Sequence, residues 1–99
     1  MDYPKLIKEW MKYPTRIITL IHLINNEGKN CTDIFKEIKI SSRNQYKILK
    51  YFKEKDIIYS IYLKDKNKYH ITNKVYYLTD KGKLIAGKLK ELDLLLSNI

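Results

Sequence analysis

Apolar residues recur at helical spacing along the first half of the chain and predict a series of amphipathic helices. The first is an arm helix over residues 1–13, capped at Asp2, with Pro4 in its first turn and Pro14 just beyond its end. Its apolar side consists of Leu6, Ile7, Trp10 and Met11. Because so short a helix is not stable alone, we expect this side to pack on the body of the protein or on a second subunit.

The second predicted helix is apolar around most of its circumference, as is typical of a helix at the centre of a domain. We expect Thr15 to cap it and Gly28 to stop it. Its polar stripe consists of Arg16, Thr19, His22 and Asn26. On this stripe His22 is expected to be exposed or hydrogen bonded rather than a metal ligand.

Two further amphipathic helices follow, joined by a turn over residues 39–41. The first is capped at Asn30 or Thr32, and the second begins at Ser41 or Ser42. Two short helices joined this closely predict a helix-turn-helix. The apolar positions of the pair are Cys31, Ile34, Phe35, Ile38, Ile48, Leu49 and Phe52.

The outward face of the second of these helices has the composition of a DNA recognition helix. Arg43 is the candidate for base contact, because its guanidinium can bridge two acceptors on guanine. Asn44 and Gln45 can pair with adenine if the helix tilts enough. We expect mainly phosphate contacts from Ser41, Ser42, Tyr46, Lys47 and Lys50.

After Lys55 the hydrophobic period changes to two, which predicts a pair of antiparallel strands at 57–63 and 75–78. The segment between them is basic and rich in turn-forming residues. A solvated hairpin tip often carries lysines, but a basic hairpin directly after a helix-turn-helix is what a DNA-contacting wing looks like. The candidates for contact with the DNA backbone or minor groove are Lys64, Lys66, Lys68 and His70.

The last predicted helix, residues 79–99, carries an apolar seam with coiled-coil spacing, widened by three further leucines. The seam can pack on the protein's own body, but two apolar sectors on a terminal helix favour contact with a second chain as well. A chain of 99 residues also has a modest core that a partner would help to bury. The predicted homodimer interface consists of Leu6, Trp10, Ile85, Leu89, Leu92, Leu96 and Ile99.

The formal charge of +9 and the pI near 9.6 favour a polyanionic partner such as nucleic acid or an anionic membrane surface. Part of the lysine content can instead reflect AT-rich codons, which favour Ile, Lys, Asn and Tyr. The position of the charges, on the recognition helix and the hairpin, is what favours nucleic acid.

Residues from about 16 to 90 resemble the winged helix-turn-helix regulators of the MarR, PadR and ArsR type found in bacteria, archaea and their viruses. The resemblance rests on CTDIFKEIKISSRNQYKILKYFKEKDII followed by YYLTDKGKLIAGKL. Ile40 and Ser41 stand where those proteins have Ile-Ser, and residues 78–82 match their L-T-x-K-G. Lys39 and Asp56 depart from the family by replacing turn glycines, and Gln45 replaces a commonly apolar residue.

The resemblance implies one mainly α domain with a small β-hairpin, in the α+β class. Residues 1–13 would form the arm, 14–78 the winged helix-turn-helix core and 79–99 the dimerisation helix. The implied function is a sequence-specific, double-stranded-DNA-binding transcriptional regulator. A homodimer would place recognition helices about 34 Å apart in successive major grooves of an inverted repeat.

Other functions have weaker support in the sequence. A winged helix can serve as a protein-interaction adaptor, for which exposed Tyr46, Tyr51 and Tyr69 would be suitable. A metal sensor needs clustered ligands, whereas the single cysteine and two histidines belong to different elements. No phosphate loop, activated nucleophile or paired-carboxylate motif is recognisable. We therefore expect no enzyme activity, metal or cofactor.

The single cysteine, Cys31, excludes a disulfide within the chain. We interpret it as a small packed hydrophobe, with an intersubunit disulfide or a reactive thiol as the alternatives. Neither a secretion signal nor an apolar run of membrane-spanning length is visible. The expected location is the cytoplasm, or the host cytoplasm for a viral protein.

Overall fold

A computed structural model of the protein describes residues 5–64 and 72–98, in which five helices pack with a three-stranded antiparallel sheet. The elements are α1 (Lys5–Lys12), α2 (Pro14–Leu23), β1 (Lys29–Asn30), α3 (Cys31–Ile34), α4 (Ser42–Glu54), β2 (Ile58–Lys64), β3 (Thr72–Leu78) and α5 (Asp80–Ser97). The expected class, mainly α with a small β component, is confirmed. None of the described helices combines the length and apolar character needed to cross a membrane.

The predicted hairpin is confirmed and gains a third strand. β2 and β3 pair in a register that sets Ile58 opposite Leu78 and Tyr62 opposite Lys74. The additional strand, β1, pairs with the other edge of β3, and its two residues are too few to show a period. Contrary to the expectation, Gly28 does not stop α2 but forms the turn that leads into β1. It has φ 77°, and its N–H donates to the carbonyl oxygen of Tyr76 on β3 at 2.8 Å.

The start of α2 differs from the expectation. Tyr13, not Thr15, is the N-cap, because Pro14 suits the first helical turn with its fixed φ and missing N–H. Thr19, on the predicted polar stripe, is fully buried, with 0% of its surface exposed. Its hydroxyl donates to the carbonyl oxygen of Thr15 at 2.7 Å, which satisfies the buried polar group within the helix.

The helix-turn-helix is present, but its first helix is shorter than predicted. The predicted cap at Asn30 is confirmed, since its side chain accepts from the N–H of Asp33 at 2.9 Å. Beyond Ile34 the backbone leaves the helix and bonds locally, with the N–H of Ile38 donating to the carbonyl oxygen of Phe35. This path allows Ile38 and Ile40 to pack against the core from the turn itself.

The two glycine replacements in the resemblance behave differently. Asp56 has φ 58°, the left-handed conformation that glycine adopts readily and that aspartate tolerates better than most residues. Lys39 is not among the described residues with positive φ. The turn before α4 therefore follows a path that needs no left-handed residue at Lys39.

The core lies between α2, α3, α4, the sheet and the first half of α5. Its fully or nearly buried members are Leu20, Leu23, Ile34, Phe35, Ile48, Leu49, Phe52, Ile57, Ile58, Tyr76, Leu78 and Ala86. The later turns of α5 extend beyond this core, since residues 90–98 are all exposed.

The start of α5 is fastened to the segment that connects α4 to β2. Thr79 caps α5 by accepting from the N–H of Gly82 at 2.9 Å, and its own N–H donates to the carbonyl oxygen of Ile57 at 3.0 Å. At Gly82, a Cβ would overlap that same carbonyl oxygen. The glycine therefore permits a close backbone approach that no other residue allows.

We expect Gly82→Ala to lower the free energy of unfolding by about 1 to 3 kcal/mol, because the clash is with backbone and cannot be relieved by a side-chain rotation. Gly87→Ala is the matched control in the same helix. A Cβ there meets nothing within 4 Å, so stability should stay the same or rise by up to about 1 kcal/mol. Urea unfolding of both variants measures the difference; equal stabilities would show that the close approach imposes no constraint.

Candidate nucleic-acid interface

The second helix of the helix-turn-helix, α4, has one buried and one exposed face. Ile48, Leu49 and Phe52 are buried and hold the helix against the core. The sequence-predicted contact residues on the opposite side are all exposed: Ser41, Ser42, Arg43, Asn44, Tyr46, Lys47 and Lys50. The structure thus brings these side chains together on a single accessible surface, which we call the α4 face.

The cations of the α4 face are not neutralised by other side chains of the described structure. The ion pairs in the described part of the chain join Arg16 to Glu9 and Lys88 to Glu91, and both lie outside the α4 face. Arg43, Lys47 and Lys50 therefore present three positive charges to solvent on adjacent turns of one helix. Such a cluster attracts a polyanion.

The predicted cap at Ser41 is confirmed. Its hydroxyl accepts from the N–H of Asn44 at 3.4 Å, a long bond at an exposed position. Ser42 is the first residue of α4 and lies beside this cap. Both hydroxyls are exposed at the helix N-terminus, where the backbone dipole favours an anion.

Gln45 does not belong to the α4 face, contrary to the prediction of an adenine contact. Its amide nitrogen donates to the carbonyl oxygen of Ile40 at 2.8 Å, and its amide oxygen lies 3.7 Å from the sulfur of Cys31. The side chain therefore spans the turn between α3 and α4 and uses its hydrogen-bonding groups there. This also explains how a polar residue fits a position that is commonly apolar in the regulators that the sequence resembles.

Cys31 is half-buried, and burial raises the pKa of its thiol above the usual value. The protonated sulfur can act as a weak donor to the amide oxygen of Gln45. A low thiolate fraction disfavours nucleophilic chemistry. These features support the interpretation of Cys31 as a packed residue over that of a reactive thiol.

The wing is described only in part. Lys66, Lys68 and His70 lie outside the described residues, and so does the side chain of Lys64, although its backbone belongs to β2. Sequence reasoning left Lys74 out of the contact set. Its ammonium lies 5.6 Å from the ring centroid of Tyr62 and 5.8 Å from that of Tyr76, within the range of cation–π attraction. Lys74 lies beside Tyr62 because the pairing of β2 with β3 sets these two residues opposite each other, and the sequence alone does not give that pairing.

An apolar groove of about 500 Å³ lies where α1, α2 and α5 meet. Its apolar lining includes Ile7, Met11, Ile17, Ile85, Leu89 and Leu92. Ile85 and Leu89 are half-buried, whereas Leu92 and Leu96 are 52% and 60% exposed. The predicted seam is therefore packed on the chain's own body at its start and open at its end. The side chain of Leu6, and Ile99, lie outside the described residues.

Trp10 was expected at the subunit interface but makes its main contacts within the chain. Its ring stacks on Phe52 with centroids 5.7 Å apart, and its indole N–H donates to the hydroxyl of Tyr51 at 3.0 Å. Tyr51 is consequently half-buried, not an exposed tyrosine as expected. The contact joins residues 41 positions apart, so no local pattern could have predicted it.

The structure resembles several solved structures, some of which are described as transcription factors. The F-93 protein of SSV1 is 26% identical, with 84% of this chain and 89% of that chain covered and a TM-score of 0.64. A possible HxlR family transcriptional factor from Thermoplasma volcanium is 19% identical, with 98% and 84% covered and a TM-score of 0.75. A PadR-like transcription factor from Bacteroides fragilis is 22% identical, with 93% and 96% covered and a TM-score of 0.66.

No protein-family model matches the chain, and no curated protein matches it significantly. The expected resemblance to winged helix-turn-helix regulators is therefore confirmed through structure, at low sequence identity.

Proposed function

We propose that the protein is a sequence-specific, double-stranded-DNA-binding transcriptional regulator. The observation that carries this proposal is the α4 face, on which exposed cations and polar side chains project from the second helix of a helix-turn-helix. The structural neighbours described as transcription factors support it. So does the net charge of +9.

Within the α4 face we assign base reading to the first turn. Arg43 is proposed to bridge the O6 and N7 acceptors of a guanine, and Asn44 to pair with an adenine. Gln45 is left out, because its amide secures the preceding turn. The proposed phosphate contacts are Ser41, Ser42, Tyr46, Lys47 and Lys50.

The wing is proposed to add contacts to the DNA backbone or the minor groove. The expected residues are Lys64, Lys66, Lys68 and His70, to which we add Lys74. Lys74 lies on β3 beside the rings of Tyr62 and Tyr76. Its charge therefore has a defined position on the strand that follows the hairpin tip.

We further propose that two copies pair through the apolar groove and the open part of α5. In α5, Leu92, Leu95 and Leu96 share one side of the helix and are each more than half exposed, and clustered exposed leucines are typical of an interaction surface. One wall of the groove and these leucines belong to the same helix, α5. A single two-fold symmetric contact between two copies can therefore bury both surfaces in each subunit. The dimer would present two α4 helices to an inverted repeat, with residues 1–13 as arm, 14–78 as DNA-binding core and 79–99 as dimerisation helix.

The competing function is a protein-interaction adaptor, which Tyr46 on the α4 face would suit. Tyr51 no longer supports it, because this residue is hydrogen bonded within the chain, and Tyr69 lies outside the described residues.

Mobility shift with duplex DNA at two salt concentrations separates the two functions. We expect binding that weakens steeply as salt rises, because phosphate neutralisation releases counterions. The control is a basic protein of similar charge without a recognition helix, which should show no preference among sequences. If the protein binds a random duplex pool no better than this control and enriches no sequence, the adaptor function is favoured.

Arg43→Ala and Lys50→Ala should separate base reading from phosphate contact. The arginine variant should lose roughly 1 to 3 kcal/mol and relax the preference at one position in each half-site. The lysine variant should weaken all sequences similarly and reduce the log-log salt slope by about 0.9 for each lost contact. Both are measured across a duplex library at two ionic strengths. An unchanged preference in Arg43→Ala, with an altered one in Lys50→Ala, would refute the assigned roles.

Replacing Leu92 and Leu96 together with glutamate should convert the proposed dimer to monomers, because the charges would be buried in an apolar interface. Sedimentation velocity measures the outcome. Leu94→Glu is the control, since Leu94 lies on nearly the opposite side of α5 from Leu92. An intact dimer in the double variant would place the subunit interface elsewhere.

A further inference from the structure

The third turn of α4 is attached to the N-terminal helices by a cluster of aromatic and charged side chains. Tyr51 is at its centre. Its hydroxyl accepts from the indole N–H of Trp10, and the guanidinium carbon of Arg16 lies 3.7 Å from its ring centroid. Arg16 is held in turn by Glu9, whose carboxylate accepts from the guanidinium at 3.1 Å. The ring and the hydroxyl of Tyr51 are thus both engaged by residues outside α4.

Two hydrogen-bonded side chains connect α4 to the rest of the described structure. Gln45 bonds to the turn that precedes the helix, and Tyr51 bonds to α1. They are six residues apart, which is about 9 Å along a helix axis. Lys47 and Lys50 project from the segment between these two attachments, and Arg43 lies two residues before it.

The two hydrogen-bonded attachments restrict the rotation of α4 about its axis more closely than its apolar face does. Burial of Ile48, Leu49 and Phe52 determines which face of α4 meets the core, but apolar contacts are non-directional and tolerate small rotations. A hydrogen bond weakens steeply when its angle departs from linearity. Fixing a helix at two such points, on different turns, determines its rotation about its own axis.

We propose that Tyr51 is a positioning residue for DNA recognition. Held by Trp10 and Arg16, it sets the rotation of α4 so that Arg43 meets a base edge while Lys47 and Lys50 meet the backbone. Base reading needs this precision, because a bidentate contact tolerates little displacement. Non-specific binding depends mainly on charge and does not need it. The inference rests on the proposed DNA-binding function.

The test is Tyr51→Phe, which removes the hydroxyl that accepts from Trp10 and keeps the ring beneath Arg16. The probes are the duplex that the wild-type protein selects most strongly from a random library and a scrambled duplex of the same composition. We expect affinity for the selected duplex to fall about threefold to tenfold, the range of one lost hydrogen bond. Affinity for the scrambled duplex, which depends on charge, should change by less than about twofold.

Tyr59→Phe is the matched control, because it removes a hydroxyl from an exposed tyrosine on β2. It should leave both affinities unchanged. Trp10→Phe removes the donor of the same hydrogen bond and should reproduce the effect of Tyr51→Phe. The double variant should bind the selected duplex about as well as either single variant, since both remove the same bond.

Thermal unfolding of each variant distinguishes positioning from mere stabilisation, and binding is measured below every transition. If Tyr51→Phe unfolds at a lower temperature but keeps the wild-type ratio of the two affinities, the hydrogen bond only stabilises the fold and the inference is overturned. If the wild-type protein enriches no duplex at all, the proposed function fails and the inference fails with it. A wild-type preference that Tyr51→Phe retains overturns the inference alone.

Discussion

The burial of Phe52 is the interaction on which the rest of the structure depends. This side chain is fully buried on the inner face of α4 and stacks against Trp10 of α1. Its carbonyl oxygen accepts from the N–H of Ile57 at 2.8 Å, just before β2 begins. One residue therefore joins the exposed helix, the N-terminal arm and the start of the wing.

The close approach at Gly82 extends this junction to α5. The carbonyl oxygen of Ile57 accepts from Thr79 and lies where a Cβ on Gly82 would sit. Lys81 adds a bond from its ammonium to the carbonyl oxygen of Lys55 at 3.0 Å, near the end of α4. The end of α4, the start of β2 and the start of α5 are thus fixed to one another within a few residues. The directions of the proposed reading helix, wing and dimerisation helix are consequently set at a single place.

What could be predicted from the sequence was determined locally. The cap of α4 at Ser41 and its buried positions follow from spacing within one helix, and the hairpin follows from its change of period. The errors concern features that depend on distant residues or on competing local ones. Pro14 displaced Thr15 as the start of α2, and β1 exists because it pairs with β3. Gln45 turned inward because Ile40 and Cys31 offered partners for its amide, which spacing along α4 cannot reveal.

The position of α1 links the proposed reading and pairing surfaces. This helix carries Trp10, which is bonded to Tyr51, and on the same apolar side Ile7 and Met11, which are 61% and 70% exposed in the groove. A helix of eight residues has little stability of its own and depends on what packs against it. A second copy seated in the groove would add apolar contacts to α1 and so favour the arrangement in which Trp10 engages Tyr51. By thermodynamic linkage, the proposed pairing of subunits and the proposed binding of specific DNA should then strengthen each other.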